Sequence, residues 1–338
     1  MLLADISCER SGGTPVRKLF QITTLVAISL VFGVASDANA QWPEYTQIGE
    51  KNYIEVGGRV LNRPGTDLPL TILQDATTLQ PLFSANQATA VASAPGIELS
   101  YNFETRHGRQ FEFRTFLGNF DATSTFDQGN IESSLFPGDI ADTVDYNYTS
   151  RIFSFELNLK RPLRQGVTFF HGPRFVSFND QISFVATDFG DLFGPMILDT
   201  ERRESFEAIN NLIGLQAGLR LEKRLTQSFR AAALIRTGGF FNPTTVRTFE
   251  QVGAVGFEPT EVLATENTKA TGTFLAEVGG KLYLDLNANC SLFAGYEATW
   301  IDGIALAPPS FLTATTSEVE TANTLFINVV TFGFRFGW

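Results

Sequence analysis

Two histidines, His107 and His171, occur in 338 residues. A hydrolase built on histidine needs one of them within reach of a nucleophile and an orienting acid. His107 falls in a short turn, Thr105-Arg106-His107-Gly108, and His171 falls in a strand on the face that carries Phe169 and Phe175. No G-x-S-x-G nucleophile elbow is present. The residues therefore read as those of a protein that is not an enzyme. Cys8 and Cys290 have no Cys or His neighbours at metal-ligand spacing, so neither a metal site nor a cofactor is expected. Two acidic stretches, Asp121, Asp127, Glu132, Asp139, Asp142 and Asp145, then Asp180, Asp188, Asp191, Asp199 and Glu201, offer hard oxygen ligands. Without a D-x-D-x-D-G loop they read as solvated surface, with divalent cations or other extracellular ligands as candidate partners. The net charge of −11 argues against nucleic acid, which requires a basic footprint.

The larger set of chemistry-bearing residues is a set of ions. Arg59, Glu98, Glu112, Arg114, Glu156, Arg174, Arg220, Glu222, Arg230, Arg236, Glu277, Lys281, Glu297 and Arg335 each sit on the polar face of a segment whose other face is apolar. Residues 97–104 show the pattern most cleanly: Ile97, Leu99, Tyr101 and Phe103 alternate with Glu98, Ser100, Asn102 and Glu104. That is the period of a β-strand. The same alternation marks residues 53–62, 109–119, 148–160, 167–178, 208–222, 228–237, 271–286, 291–301 and 325–338. The last of these ends in Phe332, Phe334, Phe336 and Trp338 on one face, with Thr331, Gly333, Arg335 and Gly337 on the other.

These elements imply a fold. Charged residues are 18% of the chain and 32 residues are Phe, with a mean hydropathy of +0.02. No run after the N-terminus is long enough for a spanning helix. Long and short connections alternate from start to finish, as in an up-and-down antiparallel transmembrane β-barrel with short periplasmic turns and long outside loops. About ten strands are expected, or twelve if 179–204 or 238–269 hides a further hairpin. The long stretches 63–94, 121–145, 179–204 and 238–269 read as loops. Phe334, Phe336 and Trp338 form the terminal aromatic signal read by barrel-assembly machinery. The apolar faces then meet outer-membrane lipid and the charged faces line the lumen. A barrel of this size is little wider than one that side chains fill, which favours a plugging salt-bridge network over a selective pore. The expected role is structural or surface-interacting; a small-solute diffusion channel and a secreted soluble β-sandwich are the alternatives.

The N-terminus supplies the compartment. Arg17 and Lys18 precede an apolar run from Leu19 to Val34, then Ala38-Asn39-Ala40. This reads as a Sec signal peptide over 1–40, a periplasmic leader over 41–51 and a barrel over 52–338, placing the protein in the outer membrane.

Several segments also resemble a family. Phe170-His171-Gly172-Pro173-Arg174-Phe175-Val176-Ser177-Phe178-Asn179-Asp180, Asn210-Asn211-Leu212-Ile213-Gly214-Leu215-Gln216-Ala217-Gly218, Phe274-Leu275-Ala276-Glu277 and the stretch from Gly295 to Pro308 are similar to strands of the planctomycete-type (BBP-like) outer-membrane β-barrel proteins. The resemblance covers 150–338 and implies a barrel in the outer membrane; it implies no activity. Pro173 stands within the first segment, and the lost ladder donor predicts a bulge or local break there.

Overall fold

The computed structural model describes residues 52–63, 71–84, 91–133, 140–187, 200–254, 260–307 and 319–338. The expected signal peptide and leader lie outside them. Twelve strands follow in order: β1 (Tyr53–Arg63), β2 (Thr71–Asp75), β3 (Pro81–Ser84), β4 (Val91–Glu104), β5 (Gln110–Ser133), β6 (Ile140–Arg164), β7 (Val167–Thr187), β8 (Thr200–Arg224), β9 (Phe229–Ala254), β10 (Thr260–Asp285), β11 (Cys290–Ile304) and β12 (Asn323–Gly337). Ten of them, β1 and β4 to β12, close into one antiparallel barrel. The remaining two, β2 and β3, form a hairpin that pairs with the far end of β5 through Leu73 opposite Ser133 and Asp75 opposite Ile131. In its turn the Asp75 carboxylate accepts the Thr78 N–H at 2.6 Å and the Thr77 N–H at 2.9 Å. The Thr78 bond foremost holds this carboxyl below its usual pKa.

Closure excludes the soluble sandwich, since no sheet edge at the seam is left to form a second layer. The seam is β1 against β12, in register from Tyr53 opposite Gly337 to Asn62 opposite Asn328. β12 also pairs with β11. Cysteines at Val60 and Val330, which face each other on the outer surface, are expected to form a disulfide in folded protein with Cys290 replaced by Ser. The offset pair Val60→Cys with Phe334→Cys is expected not to. Gel migration with and without reductant distinguishes them.

The described residues of the stretches expected to be long loops are instead largely strand. β5 and β6 run through 121–133 and 140–145, β7 and β8 through 179–187 and 200–204, and β9 and β10 through 238–254 and 260–269. Among the described residues neither 179–204 nor 238–269 holds an extra hairpin; the two additional strands come from 63–94. The physical reason is an inversion of pattern. Near the short turns, the barrel is apolar outside and polar inside. Beyond Leu117, Phe153, Phe175 and Ile213 the outward positions become Asn119, Arg151, Ser177 and Asn211. At the same level the inward positions become apolar: Phe120, Ile152, Val176, Phe178 and Leu212 are fully or almost fully buried. The period of two continues with its sign reversed.

Pro173 breaks the ladder without a bulge. Glu156 opposes Arg174 and Leu159 opposes His171, in one register, with Leu157 and Asn158 unpaired between them. The β7–β8 ladder runs through Gly172 and Pro173 without a shift. Gly172 is held so close to β6 that an added Cβ would stand 1.9 Å from the Leu157 carbonyl oxygen, which only glycine tolerates.

On the outer surface a continuous belt of large apolar residues is left exposed. Ile97, Leu117, Ile213, Leu215, Ile235, Phe241, Leu282, Val330 and Phe332 are each half exposed or more. On β10 the belt runs from Phe274 to Leu284, which at ~3.3 Å per residue and ~40° of tilt stands roughly 25 Å tall. At its turn end, Tyr101 stacks on Phe103 at 5.5 Å and on Trp338 at 6.0 Å, and Phe103 stacks on Phe111 at 5.5 Å. The Trp338 N–H also donates to the Asn52 carbonyl at 3.1 Å.

Candidate functional site

Alternation along each strand sends every second side chain into the lumen, and closure turns ten such rows toward one axis. At belt level the rows carry charge. Glu98 accepts from Arg59 at 2.6 Å and from Arg114 at 3.1 Å. Glu297 accepts from the same two arginines at 3.1 and 3.0 Å and meets Arg236 at 3.5 Å. Glu156 accepts from Arg236 at 2.8 Å and from Gln216 at 2.9 Å, with Arg174 at 3.6 Å. Glu277 accepts from Arg174 at 2.6 Å, from Thr299 at 3.1 Å and from Arg236. The four carboxylates and four guanidinium groups come from eight of the ten strands and meet across the lumen. All are more than nine-tenths buried. Burying a charge costs several kcal/mol unless it is paired and hydrogen-bonded, and here each ion meets two or more partners of opposite sign.

A second layer lies nearer the turns. Lys281 joins the two, donating to Glu55 at 2.9 Å and Glu98 at 3.2 Å. Arg220 meets Glu222 at 3.2 Å and the Tyr283 hydroxyl at 3.1 Å. Arg230 donates to Glu222 at 2.7 Å and bridges Asp285. Arg335 lies 3.7 Å over the Tyr53 ring and near Glu55 and Glu222. Lys160 donates to Asn102 at 3.0 Å and stands 3.6 Å from Glu112. Between the layers is a cavity of about 60 Å³ lined by Glu55, Glu98, Glu112, Arg114, Lys160, Arg220, Lys281 and Glu297. That is room for a few waters.

All fourteen lumen residues named from the sequence thus face inward and join these two layers. Sequence reasoning missed Glu55 and Lys160, although both lie on the correct parity of their strands. It also missed a buried group above the layers. Arg63 donates to Asp180 at 2.9 Å and to the Tyr148 hydroxyl, which itself donates to Asp180. The other Asp180 oxygen accepts the Ala307 N–H at 2.9 Å. The sequence places Asp180 in a solvated surface loop; the structure corrects this, for Asp180 is fully buried. Nearby, Asn210 donates to the Ala305 carbonyl at 2.8 Å and accepts the Ala305 N–H at 2.9 Å. Residues 304–307 are fully buried, turned inward by Gly303, whose φ is 87°. The segment after β11 thus folds into the barrel, onto an apolar core that includes Phe116, Phe178, Phe240 and Leu275.

The remaining candidates stay apart. His107 is exposed in the β4–β5 turn, and His171 is exposed on the outer face, 5.6 Å from the Phe169 ring. Of the acidic residues, Asp121 accepts from Asn119 and Asp145 from Thr125. Asp139, Asp188, Asp191 and Asp199 lie outside the described residues. No cluster of His, Cys, Asp and Glu able to hold a metal occurs among the described residues.

A closed ten-stranded β-barrel with a charged lumen is the class that fold and site define. The sequence matches no known protein family and no curated protein. Solved structures are similar in outline. They include the outer membrane protease OmpT from Escherichia coli, 8% identical over 87% of this chain and 99% of that one, with a TM-score of 0.37. The translocator domain of the autotransporter NalP from Neisseria meningitidis is 7% identical over 94% and 98%, with a TM-score of 0.39. A FadL homologue from Pseudomonas aeruginosa is 10% identical over 85% and 90%, with a TM-score of 0.28. No residue role is carried over from them.

Proposed function

We propose that this chain is an outer-membrane β-barrel with a sealed lumen, acting as a structural or surface-interacting protein and not as a channel. The observation that carries this reading is the layer of Arg59, Glu98, Arg114, Glu156, Arg174, Arg236, Glu277 and Glu297, whose members bond to one another across the lumen. A solute crossing it would have to separate buried ion pairs and then pass an apolar core. Membrane residence is supported by the roughly 25 Å belt, the height of an outer-membrane apolar band, and by the aromatic ring at its lower edge. No described helix is long and apolar enough to cross a membrane, so crossing falls to the strands. Sec export is supported by the N-terminal pattern.

In planar bilayers the purified protein is expected to be silent across salts and voltages. Stepwise conductance of the unmodified protein would sink the sealed-lumen reading in favour of a small-solute channel. Deleting Trp338 removes its stacking on Tyr101 and its bond to Asn52. Recognition by the assembly machinery is expected to suffer more, with the membrane-inserted fraction falling severalfold. Undisturbed insertion, read by heat-modifiable migration in membrane fractions, would remove Trp338 from the assembly signal.

A further inference from the structure

We infer that the turn end of the barrel carries a binding patch for the headgroup phosphate of an anionic phospholipid, built on Arg109 and Arg161 with Arg106 and Arg164 beside them. The inference rests on the membrane-embedded reading and goes beyond it by assigning lipid chemistry to one rim. β5 and β6 pair Gln110 with Lys160, so one step further Arg109 stands opposite Arg161. Both continue the outward parity of Phe111 and Leu159, immediately below the belt, and both are exposed. Like charges directly opposite each other across two strands destabilise a sheet. Among the described residues no ion pair is formed by Arg106, Arg109, Arg161 or Arg164.

Among the described residues the charge is therefore left without an ion pair where a lipid headgroup lies when the belt is in the bilayer. The turn that holds it is fixed. The Thr105 N–H donates to the Arg109 carbonyl at 2.8 Å, the Arg109 N–H donates to the Thr105 hydroxyl at 3.2 Å, and Gly108 takes a φ of 72°. Two guanidinium groups on a fixed turn suit a phosphate, which accepts paired N–H donors. The end of β6 adds Leu163, 57% exposed, one outward step beyond Arg161. The opposite end differs in sign. Among the described residues its outward positions carry Asp121, Asp127, Asp145, Glu201, Glu207, Glu266 and Asp302 against Arg151, Arg203 and Arg247, with Arg203 and Arg247 already paired to glutamates. That balance is acidic, so the outward charge of the described residues changes sign along the axis and favours an anionic leaflet at the turn end.

Native mass spectrometry of the delipidated, detergent-folded protein titrated with phosphatidylglycerol or phosphatidylcholine tests this. The tightest phosphatidylglycerol is expected to bind at least fivefold tighter than phosphatidylcholine. Arg109→Gln and Arg161→Gln are each expected to remove about fivefold, whereas Arg151→Gln at the far end changes nothing. Equal affinity for the two lipids, an unaltered preference in the double variant, or complete displacement by millimolar inorganic phosphate would overturn the proposal. The last outcome would mark a general anion site. Heat-modifiable migration checks that each variant folds. If the double variant does not, the salt dependence of the unmodified protein decides: the preference must fall as salt rises. Insertion into pure phosphatidylcholine vesicles is read separately, since its failure would count against the membrane reading itself.

Discussion

Alanine at Arg236 is expected to cost the barrel about 3–5 kcal/mol and to convert a silent lumen into a leaking one. Arg236 is the side chain on which three carboxylates converge: Glu156 at 2.8 Å, Glu297 at 3.5 Å and Glu277. Its removal leaves them to Arg59, Arg114 and Arg174, with one negative charge in excess and no bulk water to solvate it. Unpaired buried charge, more than the lost attraction, is what makes such a truncation expensive. The vacated volume adjoins the 60 Å³ cavity, which Arg236 itself lines, so water is expected to extend into the charged layer. Lysine at this site keeps a point charge and loses the planar fork, and should fall between the two. Urea unfolding of vesicle-embedded protein and single-channel recording give the two readouts. A variant as stable and as silent as its parent would show that the layer neither stabilises nor seals.

A second large loss is expected from Asp180→Ala, again about 3–5 kcal/mol, with a different local consequence. Arg63 and Asp180 are both essentially inaccessible to solvent. Without the carboxylate, Arg63 keeps Tyr148 and Ser150 as hydrogen-bond partners but no counter-ion. The Ala307 N–H loses its acceptor at the same time, so the inward-folded segment 304–307 is loosened. Limited proteolysis is expected to cut there first and faster than in the parent. Asn210→Ala removes both bonds to Ala305 without touching a charge, and should cost about 1–3 kcal/mol with the same change in cleavage. If the aspartate variant resists protease and urea like the parent, the segment is held by apolar packing alone.

How far the fold could be read from the chain varies from strand to strand, for one reason. Where the outward face is apolar and the inward face charged, alternation has the sign expected of a membrane barrel. Ile97 to Glu104 and Phe153 to Lys160 were legible there, as were the inward positions of Arg59, Arg114 and Glu297. Higher on the same strands the outward face becomes polar and the inside becomes an apolar core. Asp121, Asp145 and Asn179 then look like loop residues, although Phe120, Val144 and Phe178 keep the strand period beside them. Only that second row, read on the opposite parity, could have revealed the extensions. Asp180 was misread for the same cause: in a row of apolar inward residues an acid looks like an interruption until its partner is known.

By itself the sequence determined which residues form strands near the short turns, which face of each is apolar, and that the aromatic strand Asn323–Gly337 belongs beside the first. These are consequences of local periodicity, and periodicity is a property of the chain. Which ions meet was decided by the tertiary structure. Arg59 and Glu297 are 238 positions apart and touch because closure, strand tilt and register bring opposite walls within a side chain's reach. The same holds for Arg63 with Asp180 and for Asn210 with Ala305. A single strand records that a position faces inward; the width of the lumen and the stagger of ten strands decide what it faces.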